Sequence, residues 1–377
     1  MKVAILDWPT TVAHESFAVF HRSLARSLTS LGHQAEIFHD LTRLEAAHRD
    51  VHWDCTLAIG SHYRFDDGTR PLYERLALPH FQWLVDTPFK ANLPVGDQSR
   101  LHTLVIDEEF VSASNLKTTR PFFLPLGTDL SVGLPAAQRC FDIVFTGQIK
   151  DPNHDWASVN RLPPRSRELA QRLVDQLVAA PDQSLLQLYD QEAPAFAVPA
   201  PLATQAFLAA NSYLRSWKRQ RVLQSIRHLP VHVFGEVRDP MLLAADNLHC
   251  HAAFPYAKLK DILAQSRIAL NITPNFYAAC HDRIIASLAC TTLAATDTNP
   301  YLDGQFANNL NVLTYRYNEL HALEPRLESV LRSGAWESMA EAGRQVVEDK
   351  FSWKKVAEKL ILHMQHVAGR KTQLSHS

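Results

Sequence analysis

Residues 270–283, LNITPNFYAACHDR, crowd polar groups at the end of an apolar run. The run 268–272 has strand character and stops at Pro274. Thr273, Asn275, Tyr277, His281, Asp282 and Arg283 follow, and then the apolar IIASLACTTLAA begins. A helix starting near Asp282 would present free N–H groups and a partial positive charge, which suit phosphate. Arg283 would stand in its first turn. The competing use of Arg283 is an ion pair with Asp282 or a surface carboxylate.

Those groups need a scaffold, and the pattern around them supplies one. KVAILDW (2–8), QAEIFHD (34–40), CTLAIGS (55–61), HFQWLVD (80–86), TLVID (103–107) and RPFFLPLG (120–127) read as strands. Phe17, Phe20, Leu24, Leu28 and Leu31 fall at helical spacing over 14–31, with Gly32 as the cap. A second series begins at FDIVFTG (141–147) and continues through VHVFGE (231–236), LHCHA (248–252), IALNI (268–272), TTLAAT (291–296) and LNVLTY (310–315). Helices are expected at 258–266, 282–289, as a pair over about 319–349, and at 353–367. Near-continuous apolar strands separated by helices predict an α/β chain with parallel sheets covered on both faces. The region 163–228 reads as helical, interrupted by APAFAVPAP (193–201), which proline keeps out of helix. Its cluster Arg215, Lys218, Arg219 and Arg221 reads as a solvated helix face.

Open parallel sheets bind ligands beyond the carboxyl ends of their strands. The polar groups expected there are Asp7, His14, Ser61, His62, Asp86 and Asp107 in the first series. In the second they are Gly147, Gln148, Glu236, Thr273, Asn275, Thr296 and Asp297.

Composition narrows the function. A formal net charge of −1 gives no basic footprint for nucleic acid or a membrane surface. Met1 and Lys2 run straight into VAILDW, so no signal peptide is expected, and no apolar stretch reaches the length of a spanning helix. A cytoplasmic location is therefore expected. The five cysteines contain no C-x-x-C pair, so they read as reduced thiols packed as small hydrophobes. DWPTTVAHES follows the first strand where a dinucleotide fingerprint would need G-x-G-x-x-G. No P-loop, G-x-S-x-G elbow or H-E-x-x-H set occurs, and no metal site is expected.

The segment 254–297 resembles a stretch of two-domain GT-B glycosyltransferases, and is most similar to the spore-maturation CgeB-like group. The matching residues are Tyr256, Leu259, Leu263, Leu270-Asn271-Ile272-Thr273, His281, Arg283, Ala289-Cys290 and Thr296-Asp297. WLVDTPF (83–89), PFFLPLGTD (121–129), CFDIVFTGQ (140–148) and FSWKKVAEKLI (351–361) agree in order. The resemblance implies two Rossmann-like doubly wound domains with a cleft between them: 1–135 for the acceptor and 136–350 for the donor, the latter with the helical insertion at about 163–228. Residues 351–377 would form a helix crossing back to the first domain.

It further implies a metal-independent, hexosyltransferase-like enzyme without a cofactor. Its donor substrate would be a nucleotide-diphosphate sugar, and its acceptor a protein, glycan or other cell-surface-related molecule. Arg283 is expected on the diphosphate with His281 in support. Thr273, Asn275, Gln148 and Gly147 would line the donor, Phe254 and Tyr256 the base, and Asp282 the ribose. Asp86 and then His14 are the expected catalytic bases, and Asp7 and His62 are expected at the acceptor. One departure stands out: Ala278 and Ala286 occupy places where many such enzymes carry acids. It leaves open a catalytically inactive nucleotide- or partner-binding protein; a sugar-nucleotide epimerase is a further alternative.

Overall fold

The computed structural model describes residues 1–7, 15–60, 72–90, 98–131 and 133–374. The chain divides into two compact units, Met1–Asp129 with Asp349–Ser377, and Leu130–Glu348. His14 and His62 lie outside the described residues.

The first unit runs β1 (Lys2–Leu6), α1 (Glu15–Ser30), β2 (Gln34–Phe38), α2 (Leu41–Val51), β3 (Cys55–Ile59), α3 (Leu72–Arg75), β4 (His80–Leu84), β5 (Leu101–Val105) and β6 (Phe122–Phe123). All pairings are parallel, in the order β2-β1-β3-β4-β5-β6. Strand alternation sends Ala4, Leu6, Phe38 and Ala58 into one cluster with Leu44 and Trp53. The final strand is shorter than the apolar run 120–127 suggests. Pro125 has no N–H to give the ladder, and pairing stops once Leu124 N–H has reached the Val105 carbonyl, 2.9 Å being the usual length and 2.8 Å the observed one.

The second unit runs β7 (Phe141–Thr146), α4 (Pro152–Asn160), α5 (Pro164–Ala179), α6 (Leu185–Phe196), α7 (Ala200–Ser225), β8 (Val231–Phe234), α8 (Pro240–Leu243) and β9 (Leu248–His251). It continues α9 (Leu259–Ala264), β10 (Ser266–Asn271), α10 (Asp282–Ala289), β11 (Leu293–Asp297), α11 (Pro300–Gln305), β12 (Leu313–Tyr315), α12 (Leu323–Ser333) and α13 (Ala335–Lys350). Its sheet is also parallel, ordered β12-β11-β10-β7-β8-β9. One face buries Ile143, Phe145, Ile268, Leu270, Leu293 and Leu313 against Leu323, Leu327, Trp336 and Met339. The other buries Val144 and Ala269 against Leu259, Leu263 and Ala286. Both faces are thus covered, as continuous apolar strands require.

The proline-rich stretch 193–201 interrupts helix less than expected. Pro194 lies inside the last turn of α6, which ends at Ala197 in the left-handed conformation (φ 49°). Pro201 sits at the start of α7, where a missing N–H costs nothing.

The chain ends with α14 (Trp353–Leu374), part of the first unit. Trp353 meets Phe20 at 5.8 Å and Trp83 at 6.2 Å between ring centroids. Cys55, Cys280 and Cys290 are buried as free thiols, whereas Cys140 and Cys250 are exposed.

Candidate functional site

In the second sheet the strand order reverses beside β7, with β8 and β9 on one side and β10 to β12 on the other. Loops on the two sides part at such a switch point and leave a crevice. Gly147 follows β7 there, and the loop after β10 leads into α10. The backbone of Gly147 adopts φ +146°, which favours glycine, and a Cβ on it would stand 3.0 Å from Nη1 of Arg283. Gly235, after the neighbouring β8, packs so closely that a Cβ would collide with the Gly147 carbonyl. Two bare backbones therefore leave the guanidinium its place.

The Asp282 carboxylate makes no ion pair with the Arg283 guanidinium, although the two charges act on each other. It takes the Tyr256 hydroxyl at 2.7 Å and lies 3.1 Å from Nε2 of His281. The other ring nitrogen of His281 is 2.7 Å from the Asn271 side-chain oxygen. Burial pushes His281 down to about 4; Asp282 opposes this, and Arg283, Arg219 and Arg215 add to it. The ring is therefore uncharged near neutrality and acts as a strut between β10 and α10. Burial raises the Asp282 carboxyl, but His281, Arg283 and the Tyr256 hydroxyl together hold it below the usual carboxylate range.

Two further guanidinium groups come from α7. Arg219 donates from Nη1 to the Gln148 carbonyl at 2.6 Å, and its Cζ lies 6.0 Å from the Phe145 ring. Burial, with the charges of Arg215 and Arg283, pushes Arg219 down to about 9, so it remains charged near neutrality. Neither Arg215 nor Arg283 has a side-chain hydrogen bond or ion pair among the described residues. Three mutually repelling cations at one strand end, two of them without an acceptor, form a site for a polyanion.

This corrects the solvated-face reading of 215–221. Lys218 is 7% exposed, while Arg215 and Arg219 are half-buried; only Arg221 faces solvent. The signal was present in the helix period: Lys218 lies four residues after Leu214 and four before Val222, both fully buried.

The other expected donor residues have varied places. Thr273 gives its N–H to Asp297 Oδ1 at 2.9 Å and its hydroxyl to Oδ2. Asn275, at φ 58°, donates its amide to the carbonyl and side-chain oxygens of Asn211, at 3.1 and 3.0 Å. Gln148 donates to Glu236 at 2.8 Å. Phe254 packs edge-on to Phe234 at 6.2 Å, beside Tyr256 against the apolar cluster. Ala286 faces that same cluster, so this position offers no acid to a ribose, and Asp282 in the first turn is the acid of this helix.

In the first unit Asp7 directly follows β1. Its Oδ1 is 3.0 Å from Nδ1 of the fully buried His21, whose Nε2 accepts the Ile59 N–H at 3.1 Å. Nδ1 is thus the donor. Burial raises the Asp7 carboxyl, and the His21 bond with the charges of His21, His39 and Arg22 brings it below its ordinary range. Asp86 accepts the Thr87 N–H at 2.8 Å and pairs through its second oxygen with Lys90 at 2.5 Å.

Residues 215–361 match the family described as glycosyl transferase-like. The matched stretch, under half of the chain, holds the three arginines, His281 and Asp282. No curated protein sequence matches the chain. Among solved structures, a sucrose-phosphate synthase from Thermosynechococcus elongatus superposes with a TM-score of 0.54 at 12% identity, over 98% of this chain and 100% of that one. The Anabaena protein HepE, solved with UDP and glucose, gives 0.55 at 10% identity, over 97% and 100%. A glycosyltransferase of avilamycin A biosynthesis gives 0.56 at 12% identity, over 98% of each chain. The fold is GT-B. Among the described residues no helix is long and apolar enough to cross a membrane, and no group of three His, Cys, Asp or Glu could hold a metal.

Proposed function

We propose that the chain is a glycosyltransferase that takes a nucleotide-diphosphate sugar as donor. The observation that carries this is the grouping of Arg215, Arg219 and Arg283 at the switch point beside Gly147, with no carboxylate hydrogen-bonded or ion-paired to the Arg283 side chain among the described residues. A leaving nucleoside diphosphate gains negative charge as the glycosidic bond breaks, and fixed cations aimed at that charge lower the barrier. The three guanidinium groups and the start of α10 supply this without a metal ion. HepE, whose fold this chain shares, was solved with UDP and glucose, which supports the same ligand class here. The acceptor is a hydroxylated or amino-bearing partner such as a glycan or protein, held by the first unit, and transfer takes place in the cytoplasm.

Calorimetric titration with UDP, GDP, ADP and dTDP tests the reading. At least one should bind with micromolar affinity, and Arg283→Met should weaken it; silence for all four with folded protein would overturn the assignment. A second reading, binding without transfer, draws on Ala278 and on Ala286 in its apolar cluster. Mass spectrometry of the donor after incubation separates the two. Hydrolysed or transferred sugar supports the enzyme, and an untouched donor that still binds supports the second.

A further inference from the structure

Strand β9 ends the second sheet and, among the described residues, pairs with β8 alone. The register sets His232 opposite His249 and Phe234 opposite His251, so strand alternation turns all four side chains to one face. Cys250, between the two β9 histidines, points to the other face. The three histidines close on one another. Nδ1 of His232 lies 2.9 Å from Nε2 of His251, and the His232 ring is 5.2 Å from that of His251 and 4.9 Å from that of His249 between centroids. Apolar rings flank them: Phe234 stacks on His251 at 4.3 Å, and Phe141 of β7 lies 4.7 Å from His232. His232 and His251 are half-buried, and His249 is exposed.

A bond between two imidazole nitrogens holds one proton. One nitrogen donates it and the other accepts, so the pair keeps its bond with at most one positive charge. A further proton replaces the bond by two like charges in contact, with His249 a third titratable ring beside them. The charged groups around the cluster offer little relief. Asp142 of β7 acts on His232, but it is ion-paired with Arg267 of β10 at 2.5 Å. Burial, with the charges of His249 and His251, pushes His232 below its ordinary range, and Asp142 opposes this. Opening β9 gives the rings to water, where a histidine titrates at about 6.5. The open form therefore binds more protons than the closed one below that pH, and opening becomes easier as pH falls.

We infer that His232, His249 and His251 form an acid-sensitive clasp, which holds the edge strand β9 to β8 while the rings are neutral and releases it in mild acid. An edge strand can part from its sheet without unfolding the rest, since it has one neighbour to leave. The release reaches towards the proposed nucleotide site. Beyond β9, Phe254 packs edge-on to Phe234, and the Tyr256 hydroxyl donates to Asp282, the residue before Arg283. Release of β9 needs no ligand; only its effect at Arg283 rests on the donor reading.

Hydrogen exchange of the whole chain at pH 7.5 and 5.5, corrected for the intrinsic pH dependence of amide exchange, tests the clasp. Protection over 248–256 should fall by about fivefold or more between the two. It should stay below that of the inner strand β10 at both, because β9 opens alone. His232→Phe and His251→Phe each keep a ring among the phenylalanines and remove the shared proton, and in each the fall should shrink to about twofold or less. A wild-type fall of less than twofold overturns the inference. So does protection over 248–256 equal to that of β10 at pH 5.5, which would mean that β9 opens only when the whole unit does. A fivefold fall that survives in either variant overturns it as well.

Discussion

Arg283 stands over Gly147, so close that a methyl group on residue 147 would lie 3.0 Å from its Nη1. One residue closes β7 and the other opens α10, after the adjacent strand. Their proximity is a consequence of where the sheet changes direction. Gly147→Ala should act twice. Strain at φ +146° costs about 1–3 kcal/mol of stability, and displacement of the guanidinium weakens diphosphate binding about tenfold. Thermal melting and calorimetry on the same preparation read the two effects. A variant that melts early yet binds at full strength would show that Arg283 does not need its present place.

The arginines should not be interchangeable with lysine. A guanidinium presents a planar fork to phosphate oxygens, whereas an ammonium is a point charge. A charge-assisted hydrogen bond contributes about 1.5–3 kcal/mol, so Arg283→Met should weaken nucleotide binding by about 10- to 150-fold. Arg283→Lys should recover only part of that. Arg219→Met should lose affinity and also stability, since Arg219 holds the Gln148 carbonyl. Because the site is a cluster of like charges, wild-type affinity should fall with added salt, and the fall should be shallower in either Met variant. Equal salt slopes in all three proteins would place the ligand elsewhere.

Much of this geometry is legible in the sequence. Strand-length apolar runs located eleven of the twelve strands within a few residues, because a doubly covered parallel sheet leaves no polar face to blur the pattern. The α10 span matched DRIIASLA at both ends. Strand β6 is shorter than its apolar run because apolar character continues past Pro125, while the hydrogen-bond ladder does not. The α7 cations depart from the solvated-face pattern for a different reason. A run such as RSWKRQR looks like solvated surface unless each charge is placed on the helix period, and Lys218 then falls on the buried face. Polar partners such as Tyr256 with Asp282 are set by tertiary packing and leave no mark in local spacing.

Stability should fall in mild acid. His281 in the second unit and His80 in the first are each pushed down to about 4 by burial, opposed at His80 by its Gln82 bond. An unfolded histidine titrates at about 6.5, so between these values the unfolded chain binds more protons than the folded one. Stability is therefore complete above about 6.5 and is lost as pH falls towards 4, by about 3 kcal/mol for each ring at most. Urea unfolding at several pH values checks the slope. His281→Gln should flatten it for the second unit, and His80→Gln for the first. A stability that stays level over this range would show that both rings are protonated in the fold.

Asp86 tests the acceptor side. Its two carboxylate oxygens already serve the Thr87 N–H and the Lys90 ammonium, at 2.8 and 2.5 Å. A base must instead be free to take a proton from an acceptor hydroxyl. The pair is partly exposed, so the ion-pair contribution is at most about 1 kcal/mol, and Asp86→Asn keeps an oxygen for Thr87. The expected result is a melting temperature a few degrees lower and a turnover changed by less than tenfold. Removing a true general base would cost about 10²–10⁴-fold. A loss of that size, with Lys90→Met left active, would mean that Lys90 gives way when the acceptor binds and that Asp86 takes its proton.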